Sequence, residues 1–131
     1  MGAPGTLARV STPEPRTCAS CGRTIEWRKK WERDWDSVRY CSAACRRRRT
    51  SPQDEALEAA VADLLARSSR ATGIAASDAA RAVGGDDWRE LVEPARRAAR
   101  RLAAAGEVEI VQGGRAVDPS TARGEFRIRR R

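Results

Sequence analysis

Cys18-Ala19-Ser20-Cys21-Gly22 and Tyr40-Cys41-Ser42-Ala43-Ala44-Cys45 contain all 4 cysteines of the chain, and their spacing decides how the N-terminal part folds. The pattern is Cys-x2-Cys, 19 intervening residues, then Cys-x3-Cys. A segment of about 35 residues cannot bury enough apolar surface to fold unaided and needs a staple. Two disulfides or one metal ion would serve. The start, Met1-Gly-Ala-Pro-Gly-Thr-Leu-Ala-Arg9, has no apolar stretch of the kind that directs export, so a reducing cytoplasm is the expected compartment. The paired short spacings then predict one structural Zn²⁺ held tetrahedrally by Cys18, Cys21, Cys41 and Cys45. With no spare ligand there is no open coordination position, so a catalytic metal is not expected.

The residues around the cysteines fit that chemistry. Arg23, Arg28, Lys29, Lys30, Arg39 and Arg46 can offset the net negative charge of a four-thiolate site, and nearby cations favour the thiolate form. Gly22 suits a tight turn after the first pair. Thr24-Ile25-Glu26-Trp27 and Ser37-Val38-Arg39-Tyr40 read as two strands of a hairpin between the pairs. Ser42 opens a helix with Cys45 in its first turn. Trp27, Trp31 and Trp35, four apart, either wrap the metal as a miniature core or form a platform for bases; so small a module favours the core. Arg46-Arg47-Arg48-Arg49 reads as a solvated linker or, given its charge density, as a phosphate contact.

The segment running from Cys18-Ala-Ser-Cys21-Gly22 through Trp27-Arg-Lys-Lys-Trp31-Glu-Arg-Asp-Trp35 to Tyr40-Cys41-Ser42-Ala-Ala-Cys45-Arg46 resembles domain of unknown function 2256. This is a short, four-cysteine, tryptophan-rich bacterial family. The resemblance covers about residues 14–50 and implies a zinc-finger-like module, with no activity attached. The Tyr-Cys-Ser-x-x-Cys-Arg ending also resembles treble-clef fingers.

The rest of the chain has the pattern of a separate α+β domain. Ser51 or Thr50 can cap a helix with Pro52 at its first position and Asp54 and Glu55 in its first turn; Leu57, Ala60, Val61, Leu64 and Leu65 mark one face. Ile74 suits a short strand, a second helix begins at Ser77-Asp78, and Gly84-Gly85 stops it. A third helix lies within 87–105. It carries Trp88, Leu91, Val92, Ala95, Ala98, Ala99, Leu102 and Ala103 on one face, and Arg89, Arg96, Arg97, Arg100 and Arg101 on the other. Pro94 requires either a start near Glu93 or a kink. Val108 and Ile110, a turn at Gly113-Gly114, Arg115–Pro119, and Phe126 with Ile128 then read as half-buried strands. Helix, strand, helix, helix, hairpin is the order of a winged helix. Trp88-Arg-Glu-Leu91, Leu102-Ala-Ala-Ala-Gly106 and Val117-Asp118-Pro119 also resemble domain of unknown function 3253, over about residues 52–130, which supports a winged-helix-like fold and carries no ligand.

The expected organisation is therefore a disordered 1–13, a zinc-stapled module of treble-clef or ribbon-like hairpin plus helix over 14–50, and a winged-helix domain over 51–131. Charge separates the last two. Residues 1–50 hold 12 Lys/Arg against 5 Asp/Glu, whereas residues 51–131 hold 14 against 13. Nearly all of the net +8 thus belongs to the first part, which favours a polyanionic partner. Nucleic acid, DNA or RNA, is the leading expectation, with phosphates met by Arg28, Lys29, Lys30 and Arg46–Arg49, and Arg96, Arg97 and Arg100 presented to a groove. Against this, Glu93 can pair with Arg96 or Arg97 and make that face self-satisfied. The alternative is an adaptor docking on an acidic protein. The chain has 0 His, which excludes Ser-His and Cys-His catalytic arrangements, so no enzyme is expected. No apolar run approaches the roughly 20 residues of a membrane span.

Overall fold

A computed structural model describes residues 13–131, so the expectation of a disordered 1–13 lies, Pro13 apart, outside the described residues. Strand β1 (Arg16–Thr17) and strand β2 (Thr24–Ile25) pair antiparallel, Arg16 opposite Ile25 and Thr17 opposite Thr24. Gly22, at φ +80, makes the reversal between them. This corrects the hairpin expected from 24–27 and 37–40. The reversal at the first cysteine pair folds the chain onto its immediate neighbour, a far shorter closure than one across the tryptophan segment. Residues 37–40 still join the backbone network, because Arg39 accepts a hydrogen bond from the amide of Ala19 at 2.8 Å. Between the cysteine pairs lie two single turns of 3-10 helix, Lys29–Trp31 and Trp35–Ser37, rather than one α-helical stripe of tryptophans.

Helix α1 (Ala43–Arg48) opens as its sequence predicts: Ser42 is extended and its hydroxyl accepts from the Cys45 amide at 3.1 Å. The arginine run is thus not a linker but the body and end of this helix, with Arg49 at φ 50 closing it. Helix α2 (Pro52–Ala66) follows at once behind a reciprocal cap. Ser51 Oγ accepts from the Asp54 amide (3.2 Å) and Asp54 accepts from the Ser51 amide (2.8 Å), while Pro52 sits at the first position.

Strand β3 (Ile74–Ala75) leads into helix α3 (Ala76–Gly84), whose start is held by Asp78 accepting from the Ala75 amide at 2.9 Å. A run of 3-10 turns, Gly85–Leu91, precedes helix α4 (Val92–Ala104). Pro94 falls within the first turn of α4, where a missing N–H has no helical partner to lose, so it neither breaks nor kinks the helix. Strands β4 (Val108–Gln112), β5 (Arg115–Val117) and β6 (Arg127–Arg130) complete an antiparallel sheet of order β3-β6-β4-β5.

Among the described residues two apolar cores result. The larger lies wholly in the C-terminal part and gathers Leu57, Val61 and Leu65 of α2, Ala79 and Ala80 of α3, Leu91, Ala95, Ala98, Ala99 and Leu102 around α4, and Ile110, Phe126 and Ile128 of the sheet side. Each large aliphatic buried there contributes about 1.5–3 kcal/mol. Leu64 and Trp88 pack on its margin, Trp88 half-buried beneath the guanidinium groups of Arg81 (4.2 Å) and Arg89 (4.7 Å). The smaller core consists of Cys18, Cys21, Ile25, Trp35 and Cys45, with Trp27, Trp31, Val38 and Tyr40 against it. The tryptophans therefore do wrap the cysteine cluster. Among the described residues no helix is long and apolar enough to cross a membrane.

Candidate metal centre

The turn after β1 delivers Cys18 and Cys21, and the start of α1 delivers Cys41 and Cys45. Their four sulfurs all lie within 4.8 Å of one another. Cys21 Sγ is 3.7 Å from Cys41 Sγ, which is 3.6 Å from Cys45 Sγ. A disulfide would need about 2.05 Å, and all four thiols are free. A tetrahedron with metal–sulfur bonds of about 2.3 Å has edges of about 3.8 Å, so the observed separations match a four-thiolate metal site.

The backbone is arranged for thiolates. Cys18 Sγ accepts from the amides of Cys21 (3.5 Å) and Cys41 (3.4 Å), and Cys45 Sγ from Arg48 (3.5 Å). Burial opposes ionisation of Cys18, yet the amides of Cys21, Cys41 and Ser20 outweigh it and bring the thiol down to about 7. Burial pushes Cys21 up. Loss of hydration, followed by crowding from the sulfurs of Cys45, Cys21 and Cys18, pushes Cys41 up to about 12. Four sulfurs so close cannot all ionise unless a cation sits among them, so the donor set fits a divalent metal ion.

The metal module does not stand apart. Gly22 lies against the backbone of α4: a β-carbon there would come within 2.5 Å of both the Arg100 carbonyl carbon and the Arg101 amide nitrogen. Arg101 is the central tie. It donates to the Ser20 carbonyl (2.6 Å), forms an ion pair with Glu58 (2.5 Å) and reaches the Asp54 carbonyl (3.5 Å). On the other side of Gly22, Arg23 donates to the Ser120 carbonyl, and the Thr24 amide to Ser120 Oγ at 2.9 Å. Sequence reasoning placed Arg101 on the helix's polar face but did not assign it a partner, and it missed Ser20 and Ser120 altogether. No local pattern signals contacts between residues some 80 to 97 positions apart.

These ties decide where the expected nucleic-acid residues stand. Arg28, Lys29, Lys30 and Arg46, Arg47, Arg48 and Arg49 are all exposed. Arg100 is not. It is 2 % exposed, its Nε donating to the Pro119 carbonyl and its guanidinium beside Phe126, so its expected presentation to a groove is corrected. Arg96 is also engaged, donating to the Gly124 carbonyl (2.7 Å), pairing with Glu93 (3.5 Å) and lying over Phe126 (4.4 Å). Arg97 is partly sunk; burial and then the neighbouring charge of Arg48 lower its pKa.

Fold and site together define a class: a four-cysteine module with metal-binding geometry, docked on a domain of helices and antiparallel sheet. The family model described as a protein of unknown function (DUF3253) matches residues 54–131, more than half of the chain, and the chain belongs to that family. A second model, described as an uncharacterized protein conserved in bacteria (DUF2256), matches residues 10–48 and so spans the four cysteines. Comparison with curated proteins finds no match.

Proposed function

We propose that Cys18, Cys21, Cys41 and Cys45 hold one structural Zn²⁺ and that the protein is a nucleic-acid-binding module acting through phosphates, with no catalytic role. Zinc is favoured because four thiolates in a closed tetrahedral set are its commonest structural arrangement. The C-terminal domain reads as a winged helix: β6 returns between β3 and β4, and Gly113-Gly114 forms the tip between β4 and β5.

One observation carries the nucleic-acid reading. Among the described residues, the guanidinium groups of Arg46, Arg47 and Arg49 meet no carboxylate and stand exposed side by side at one helix end, whereas Arg96, Arg100, Arg101, Arg127 and Arg129 of the C-terminal domain are held by carboxylates or backbone carbonyls. Unpaired, solvated cations clustered on one short helix release counterions when phosphates replace water. In this reading α1 is the phosphate-facing helix, and α4 is an internal support.

The test is a salt titration of affinity for DNA and RNA. Replacing Arg46–Arg49 with alanine is expected to flatten the slope of log K against log salt by up to about three to four units, alike for all sequences. Unchanged slope and affinity would sink the reading and leave an acidic protein as the partner. Metal analysis is expected to find one zinc per chain in reduced wild type and none in Cys18→Ser; bridged cysteines without metal would overturn the zinc assignment.

A further inference from the structure

Beside the cysteine cluster, between the tryptophan segment and the start of α1, is a cavity of about 500 Å³. Its walls include Trp31, Tyr40, Asp34 and the cations Lys30, Arg39 and Arg46. That volume is in the range of small-molecule sites. We propose that this cavity seats one unstacked base of a single-stranded nucleic acid, with guanine preferred. This rests on the nucleic-acid reading above and adds to it which form of nucleic acid is taken and what reads it.

The aromatic part is fixed rather than free. Trp31 stacks on the buried Trp35, ring centres 5.8 Å apart at 26°, so its ring is supported from behind while remaining half-exposed. Lys30 Nζ (5.1 Å) and the Arg28 guanidinium (5.9 Å) lie over the same ring; both side chains are exposed, and a base stacking there takes their place on the indole while they turn to its phosphates. A held indole and a half-buried phenol in a pocket rimmed by cations offer a base its π-face and its phosphates a charge partner. Among the described residues Lys30, Arg39 and Arg46 form no ion pair. A duplex cannot use such a pocket, because its bases are paired and stacked; a single strand can turn one out.

Asp34 supplies the selection. Among the described residues it is the one acid on the cavity wall. A carboxylate only accepts hydrogen bonds. It therefore favours a base edge with two adjacent N–H donors, the N1–H and N2–H of guanine, and repels the carbonyl-flanked edge of uracil or thymine. The backbone around it is firm, its amide donating to Trp31 (2.9 Å) and its carbonyl accepting from Ser37 (2.8 Å).

The experiment is fluorescence anisotropy on the zinc-loaded full chain. The probes are a ten-residue oligouridine, the same strand with one central guanosine, a duplex of that strand, and free guanosine monophosphate. The guanosine strand is expected to bind tightest. Trp31→Leu should weaken it about ten-fold while duplex affinity and zinc content stay unchanged, and Trp31→Phe should restore most of the loss. Asp34→Asn should narrow the gap between the guanosine and all-uridine strands. Equal binding of single strand and duplex, with no effect of Trp31→Leu, would overturn the pocket and leave the phosphate reading standing. Guanosine monophosphate binding as tightly as the strand would overturn it too. Binding of none of the four probes would remove both readings together.

Discussion

Gly22 is under two constraints at once. Its φ of +80 disfavours any side chain, and the backbone of α4 occupies the place where a β-carbon would go. Backbone atoms of a helix cannot step aside as a flexible side chain can. Gly22→Ala is therefore expected to cost at least about 2 kcal/mol in urea unfolding of the zinc-loaded protein. Gly106→Ala is the control: φ is +82 there, and among the described residues nothing lies within 4 Å, so only backbone strain of about 1 kcal/mol should appear. Equal losses from the two would mean that Gly22 does not seat the module. Arg101 makes the same contact from the other side. Arg101→Met removes the Ser20 bond and strands Glu58, at an expected cost of about 2–3 kcal/mol, below the fully buried range because Glu58 stays 33 % exposed. Adding Glu58→Gln should recover part of that loss. If it recovers nothing, the Ser20 bond and not the ion pair is what matters.

Elements differ in how much of their structure is local. The start of α2 was readable outright, since Ser51, Pro52 and Asp54 each satisfy a requirement set within four residues. The start of α1 at Ser42 and the turn at Gly113-Gly114 were equally local. The four-cysteine cluster was legible because sulfurs able to share one ion impose their spacing on the sequence. The hairpin partner of Thr24–Ile25 was not, because Ser37-Val38-Arg39-Tyr40 alternates like a strand whereas Arg16-Thr17 carries no apolar residue to mark it, and only the three-dimensional closure selects it. Helix α4 was half-legible. Its apolar face is as read, but the arginine face is divided: Arg101 ties to Ser20 of the cysteine module, while Arg96 and Arg100 are held by Gly124, Pro119 and Phe126 of their own domain, and an arginine at a buried contact has the same sequence pattern as one in solvent. The strand pair β4–β6 carries a pH prediction at this scale. Glu109 stands directly opposite Arg129 and accepts from it at 2.8 Å, with Arg70 at 3.8 Å. The Arg129 hydrogen bond and charge hold its carboxyl below the usual range. A lowered pKa means the pair stabilises the sheet above about pH 4.5, and that contribution disappears as pH falls through the folded-state value. NMR titration should show Glu109 protonating after the exposed carboxyls, and Glu109→Gln should reduce the acid dependence of unfolding. A Glu109 midpoint at the ordinary value would contradict the pairing.

At the scale of the whole molecule, two apolar cores meet across a polar seam. Among the described residues the larger core draws on 57–128 and the smaller on 18–45, while Arg101–Ser20, Arg23–Ser120 and Thr24–Ser120 cross between them. This arrangement predicts what metal removal does. The small core has the cysteine cluster at its centre, so without metal it lacks the burial to persist. The large core has its own hydrophobic residues and its own capped helices, so it should remain. Chelation is expected to red-shift emission from Trp27, Trp31 and Trp35, best read in a Trp88→Phe background, while the helical circular dichroism of α2, α3 and α4 is largely kept. The surviving domain should nevertheless be weaker, because the seam supports α4. With three cross-seam hydrogen bonds at about 0.5–1.5 kcal/mol net each, the metal-free chain and an isolated 51–131 fragment should both unfold roughly 2–4 kcal/mol below the zinc-loaded protein. Their agreement with each other matters most, since each removes the same support by a different route. Collapse of the helical signal on chelation would show that the large core depends on the metal. A fragment as stable as the whole would show that the seam contributes nothing, and that α4 needs no covering over Arg100.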